Sequence, residues 1–267
     1  MWVNNMKRYF KIYIQFLWVS LLNLLAYRSG FYSHLVGSTI WGIFHYISIF
    51  VLTYRIQSVY GWTKPELFIL TATFGGMWGL FRFFFVKNFH EFSGTVLSGR
   101  LDGLLIKPID SQFLMSLWQV RYDEFVRVFM GTAFLIYVIN AYNIHVTPVG
   151  VFMYFFLIIF AIVSSYCFWF SCSTIIIWFP RLSNLIELLY SFSGIMRNPP
   201  DIMQRFGIST VLIITPILFA ISVPTRVLVG KASIAQILWL IVFTILFFMF
   251  TRAFWKYALR SYTSVNN

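Results

Sequence analysis

Chemistry-bearing residues are sparse in this sequence, and few of them stand at a useful spacing. His90-Glu91 sets a histidine beside a carboxylate, a pairing suited to proton transfer or metal binding. It lacks the second histidine that a His-Glu-x-x-His site needs. No glycine-rich loop ending in Lys-Ser or Lys-Thr occurs, so the chain has no visible nucleotide site of its own. Ser173 and Thr174 have neither a base nor an orienting acid nearby in sequence. His34 and His45, eleven apart, lie near one helical face, which suits hydrogen bonding between packed helices or a place along a polar path. Cys167 and Cys172 share one apolar stretch without facing each other and read as small buried hydrophobes. Neither a disulfide framework nor a metal-ligand spacing is present.

Two groups carry charge in a pattern. Arg121, Asp123, Glu124 and Arg127 bring two bases and two acids together, and Asp123 and Arg127, four apart, are expected to pair on one helical face. Such a cluster is tolerated at a membrane interface or against protein, and is costly against lipid at mid-depth. The second group is Leu97-Ser-Gly-Arg-Leu-Asp-Gly-Leu-Leu-Ile-Lys-Pro-Ile-Asp-Ser-Gln-Phe113. Gly99 and Gly103 flank Arg100-Leu101-Asp102. Leu101, Leu104 and Leu105 form an apolar stripe, with Asp102 and Lys107-Pro108 off it. This short amphipathic element is either a connection resting on lipid or a knob for a soluble partner's groove, its charges pairing at the rim.

The elements that must hold these groups are membrane helices. Of the 267 residues 60% are hydrophobic and only 10% charged, too apolar for a soluble domain of this length. Ser29–Tyr54, Leu67–Phe81, Val128–Pro180, Phe206–Thr225 and Ala232–Thr251 contain no Asp, Glu, Lys or Arg. A helix needs roughly 20 mainly apolar residues to cross the hydrocarbon. Continuous apolar runs also argue against outer-membrane strands, which alternate. The net charge of +12 falls between the apolar runs, as topology determinants do, and not in a nucleic-acid-binding patch.

These runs predict an all-α integral membrane protein with about six transmembrane helices. Residues 1–32 form a cytoplasmic tail and an amphipathic interfacial helix over 7–28, carrying Lys7, Arg8, Lys11 and Arg28. A further span there is the rival reading. Residues 33–267 form the transmembrane domain, with spans near 33–54, 66–86, 118–139, 149–177, 207–223 and 233–251. Pro65 suits the first turn of span 2. Gly75, Gly76 and Gly79 allow close contact or a bend within it, and Pro216 is expected to kink span 5. Residues 182–196, with Glu187, are short for a crossing and are placed along or partly into the inner interface, ending at Arg197-Asn-Pro-Pro-Asp201.

Orientation follows from the positive charges. With both termini cytoplasmic, the inner side holds Lys7, Arg8, Lys11, Arg28, Arg82, Lys87, Arg100, Lys107, Arg181, Arg197, Arg205, Arg252, Lys256 and Arg260. The outer side holds Arg55, Lys64, Arg226 and Lys231. Fourteen against four, with Arg121 and Arg127 uncounted, is a strong positive-inside bias.

The run Gly99-Arg100-Leu101-Asp102-x-Leu104-Leu105-x-Lys107-Pro108, followed by Gln112-Phe113, resembles the signature of ABC-2-type permease subunits, more narrowly a bacterial branch with this inner loop. Pro199-Pro200-Asp201-Ile202, Thr215-Pro216, Pro224 and Tyr257-x-x-x-x-Tyr262-x-Ser264 support the likeness, which covers nearly the whole chain in order. The resemblance implies an ABC-2-type, type V exporter-like permease fold in the bacterial cytoplasmic (inner) membrane. It implies a non-catalytic subunit of an ATP-driven exporter, paired with a second permease, identical or related, and with two cytoplasmic ABC ATPases. The chain itself would hold no cofactor; ATP and Mg2+ belong to the ATPases. The family's coupling helix maps onto 93–108, and so onto Gly99, Arg100, Leu101, Asp102, Leu104, Leu105, Lys107 and Pro108. The family's interfacial helix also touches the ATPase and matches 7–28. An outer turn that dips into the membrane commonly follows span 5, for which Pro224–Lys231 is short. The substrate expected is an amphiphilic or small toxic compound in an aromatic path, with cation–π contact open to cationic ones. Rival classes are a non-transporting scaffold or assembly factor, a secondary transporter and a membrane enzyme.

Overall fold

Apolar runs of this length fold as helices because the bilayer leaves no other partner for backbone polar groups. The computed structural model describes residues 2–55, 58, 59, 61–182, 184–194, 199, 201 and 208–263; of 2–6, 192 and 208–217 it describes the backbone alone. Arg197, Pro200, Ile202, Arg205 and Ser264, used above as topology or family markers, lie outside these residues, as does the side chain of Pro216.

In chain order the helices are α1 (Trp2–Ala26), α2 (Arg28–Leu52), α3 (Lys64–Phe81), α4 (Lys87–Leu97), α5 (Arg100–Leu105), α6 (Ser111–Leu117), α7 (Phe125–Ala141), α8 (Pro148–Thr174), α9 (Leu185–Phe192), α10 (Ile208–Leu228) and α11 (Ile234–Ser261). Two short antiparallel strands, β1 (Ser58–Val59) and β2 (Trp62–Thr63), join α2 to α3. Among the described residues, six helical stretches are long and apolar enough to cross a membrane: Lys7–Ala26, Arg28–Leu52, Lys64–Leu97, Tyr122–Ala141, Pro148–Ile177 and Ile234–Ser261. The protein is therefore an all-α membrane protein.

Helix starts follow the local sequence. Thr63 and Glu66 form a reciprocal cap at α3, with Pro65 in its first turn as expected. The Thr147 hydroxyl accepts from the Gly150 amide ahead of Pro148 at the start of α8. Ser233 and Gln236 cap α11.

The structural spine is a rod of 34 residues, Lys64–Leu97. A π turn over Arg82–Val86 joins its halves α3 and α4. At ~1.5 Å per residue the rod is ~50 Å long, well beyond the ~30 Å of hydrocarbon. Its two ends give the molecule an apical end, at Trp62, and a basal end, at Leu97. Against the upper rod lies α7, touching backbone to backbone: a Cβ on Gly131 would meet the Gly76 nitrogen at 2.5 Å, and one on Gly79 the Val128 nitrogen at 2.9 Å. The expected role of the small residues in close contact is borne out.

Several sequence expectations are corrected. The break between α1 and α2 falls at Tyr27, so Arg28 opens α2 and is not the end of the interfacial helix. The third crossing helix begins at Tyr122 rather than 118, because Ser111–Leu117 folds as the separate helix α6 and a 3-10 turn occupies Tyr122–Glu124. That turn also replaces the expected Asp123–Arg127 pair. Asp123 pairs instead with Arg121, and Glu124 with Arg127.

The described residues of 185–201 have partners at two levels of the rod. Glu187 Oε1 lies 2.9 Å from His90 Nδ1, near the basal end of the rod. Asp201 accepts from Trp62 Nε1 at 2.7 Å and pairs with Arg226 at 2.9 Å, at the apical end. Tyr190, between them in sequence, lies against Trp78 and Arg82, so the described part of α9 packs on the rod above His90. The Asp201–Arg226 pair holds Asp201 against the last turn of α10 at the apical end.

Candidate functional site

The segment singled out by sequence sits at the basal tip of the rod. There α4 ends at Ser98, whose hydroxyl donates to the Gly94 carbonyl at 2.6 Å and accepts from Arg100 Nε at 3.0 Å. Gly99 has φ +72°, the left-handed conformation that turns the chain from α4 into α5 and that a side chain would disfavour. Along α5 the predicted apolar stripe divides. Leu101 is fully buried as part of the chain's own hydrophobic core, and Leu104 is half-buried against that core. Leu101 is therefore an anchor that fixes α5 to the bundle, and not a knob for a partner. The uncovered apolar groups are Leu97, Leu105 and, above all, Ile106, which is 84% exposed. Neither Leu97 nor Ile106 was singled out from the stripe, since a six-residue helix gives too little periodicity to tell its faces apart.

Arg100, Gly103, Lys107 and Pro108 are exposed around this apolar tip, and Asp102 is half-buried. Asp102 faces Tyr262 beyond the end of α11; burial and then the neighbouring carboxylate push the Tyr262 phenol up. The Lys107 ammonium lies 4.7 Å from the Trp118 ring.

The structure joins the two predicted interfacial groups. Arg8 donates to the Pro108 carbonyl at 3.0 Å, and the Asp110 amide to the Tyr9 hydroxyl at 3.0 Å. Further along, Tyr122 donates to the Leu17 carbonyl, and the Val120 amide to Ser20. Thus α1 follows residues 108–122 across the basal flank. Its inward residues Tyr9, Ile12, Tyr13, Phe16 and Ser20 recur at helical spacing, while Phe10, Ile14, Trp18 and Leu22 are exposed on the opposite side. Lys7, Lys11 and Arg28 are exposed.

Behind the tip, Asp110 anchors the segment to the last helix. Its side chain accepts from the Phe113 amide at 3.0 Å, capping α6, and forms a two-point ion pair with Arg252 of α11. Arg252 also donates to Gln112, which donates to Tyr166 of α8 at 2.9 Å. Trp255 Nε1 donates to the Ser111 hydroxyl at 3.1 Å. Although burial pushes the Asp110 carboxyl up, the Arg252 guanidinium and the Phe113 amide hold it below the usual carboxylate range.

The predicted charge cluster forms above this anchor. Glu124 is fully buried, with Oε1 2.8 Å from Arg82 and Oε2 2.8 Å from Arg127. One carboxylate thus holds two guanidiniums, and a net positive charge stays inside the protein. Arg82, counted among the inner charges, belongs to this triad. The triad abuts the π turn, whose Phe83 carbonyl accepts the Arg121 amide at 3.0 Å. The Arg82 guanidinium also lies 5.7 Å from the Tyr190 ring of α9. A cleft of about 520 Å³ opens above Arg82 and Arg127, walled by α2, α3, α7 and α9.

No group of three or more His, Cys, Asp or Glu among the described residues could hold a metal ion. The arrangement is that of a long rod whose uncovered tip is anchored to α8 and α11 and whose upper half, α3, is one wall of the cleft. The sequence profile of the ABC-2 family transporter proteins matches residues 39–266. The chain belongs to this family. The ABC-2 chain is thus a multi-pass membrane permease of an ABC transporter, a membrane component of the kind that works with ABC ATPase subunits. The family is in general non-catalytic. No curated protein and no solved structure matches the permease.

Proposed function

We propose that this permease is the membrane subunit of an ATP-driven exporter and that the basal tip is where the ATPase engages it. The observation carrying this reading is the exposure of Ile106 beside Leu97 and Leu105, on a rod too long for the bilayer. An apolar tip held in water gains free energy from a partner's groove, and Arg100 and Lys107 stand ready to pair with acids at the groove's rim.

The basal end is the cytoplasmic end in this reading. Leaving Arg197 and Arg205 aside, the charge count is twelve against four, still a clear positive-inside bias. Both termini are then cytoplasmic, and α1 lies in the cytoplasmic leaflet interface of the bacterial inner membrane. Two ATPases bind beneath two permease subunits, identical or related. ATP and Mg2+ act in the ATPases. Closure of the ATPases displaces α5; the rod transmits this through Leu101 and the Asp110–Arg252 anchor; the helices walling the cleft change their access from the inner to the outer side.

The test is Leu105→Asp with Ile106→Asp in the full complex. Co-purification of the ATPase should fall at least about tenfold, as for loss of an apolar hot spot, and transport should stop while membrane insertion persists. Unchanged ATPase capture and transport would sink the coupling assignment. Leu101→Asp should behave differently, lowering the amount of folded permease because it places a charge in the core.

A further inference from the structure

The cleft above the charge triad carries information about what the permease binds. Its walls are aromatic, from Trp41, Phe44, Tyr46, Phe74, Trp78 and Tyr190, and its floor is cationic, from Arg82 and Arg127. No Asp or Glu lines it among the described residues. Glu124, the counter-charge to both arginines, is sealed behind them at zero exposure, while the arginine side chains keep about a fifth of their surface. A molecule entering the cleft therefore meets uncompensated guanidinium charge.

A second observation points the same way. The Tyr190 hydroxyl is buried and has no hydrogen-bond partner among the described residues, and its ring stacks on His90 and lies against Arg82. A buried phenol without a partner is costly unless something accepts its proton. The Tyr190 face that could have taken a cationic ligand is already occupied by the protein's own guanidinium. The aromatic content that suggested cation–π binding from sequence thus works against a cation here.

We infer that the cleft binds anionic amphiphiles: a carboxylate, sulfonate or phosphate head set on Arg82, Arg127 and the Tyr190 hydroxyl, with an apolar or aromatic body between α2 and α9. About 520 Å³ suits a body of small-molecule size. The inference rests on the exporter reading only for the transport step that comes after binding. The head group could belong to a soluble amphiphile or to an anionic lipid of the adjoining leaflet.

The experiment uses full-length permease in phosphatidylcholine nanodiscs and two probes of one shape. These are 1-anilinonaphthalene-8-sulfonate and neutral N-phenyl-1-naphthylamine, each corrected against empty discs. The sulfonate should bind about tenfold or more tightly than the neutral probe, as expected of charge-assisted hydrogen bonds. Tyr190→Phe should weaken the sulfonate severalfold and leave the neutral probe unchanged. Ser191→Glu, which places an acid on the cleft wall without touching the triad, should abolish the sulfonate's preference and favour tetraphenylphosphonium. Equal binding of the two probes, or insensitivity to both substitutions, would overturn the inference. Phosphatidylglycerol added to the discs separates the sources. Displacement of the sulfonate assigns a lipid head, and its persistence assigns a soluble amphiphile. Because binding is read without the ATPase, its failure leaves tip docking standing, and failure of tip docking leaves the cleft's preference standing.

Discussion

At the apical end Asp201 meets Arg226 and Trp62, Glu66 meets Lys231, and the Arg226 guanidinium covers the Trp62 ring at 5.0 Å. Each acid there has a base, and both pairs are partly open to water. At the basal end the pairing differs. Glu124 is shared by two arginines in the interior, Asp110 ties a loop to the last helix, and Ile106 is left uncovered. A closed set of pairs holds loops together; an unbalanced interior charge beside a π turn, with an unpartnered tip below, can respond to something outside the chain. The apical end is a clasp and the basal end a working surface.

The comparison breaks most easily at Glu124. Glu124→Ala leaves two buried guanidiniums facing each other and should cost about 3–5 kcal/mol, seen as a large fall in melting temperature or loss of folded permease in detergent. Next, Asp110→Ala should cost about 2 kcal/mol from a lost charged hydrogen-bond network. It should speed hydrogen exchange across residues 106–117 while the apical loops keep their protection. At the other end, Asp201→Ala should cost about 1 kcal/mol, because Trp62 and Arg226 can turn to water. Smallest is Glu66→Gln, near or below 1 kcal/mol for a partly exposed pair. Should Asp201→Ala prove as costly as Glu124→Ala, the distinction between clasp and working surface fails.

Acidity sharpens the same contrast. The folded Asp110 carboxyl titrates below its unfolded value of about 3.9, so its contribution is complete at neutral pH and is lost only as pH falls through the lowered value. Trp255, bonded to Ser111 beside it, should report the change by fluorescence below about pH 4, with no change between pH 7 and 5. A transition near pH 6 would point to a different group.

Much of this was legible in the residues. Pro65 in the first turn of α3 and the glycines Gly75, Gly76 and Gly79 within it declare themselves locally. The coupling segment was legible as a motif, but its working face was not. Leu101 and Ile106 are both apolar, and only the packed bundle makes one an anchor and leaves the other free. The partners of Asp110, Glu124 and Asp201 were equally hidden. Arg252, Arg82 and Trp62 stand 142, 42 and 139 residues away respectively, beyond any local rule.

The sequence by itself determined the solvent, the family and most helix limits, because length and hydropathy are properties of a segment alone. Tertiary structure decided which apolar faces meet protein and which meet lipid, and which acid holds which base. The physical reason is that lipid is as apolar as the bundle's interior. Hydropathy therefore finds the helices without distinguishing their faces, and charged partners are chosen only once those helices have packed.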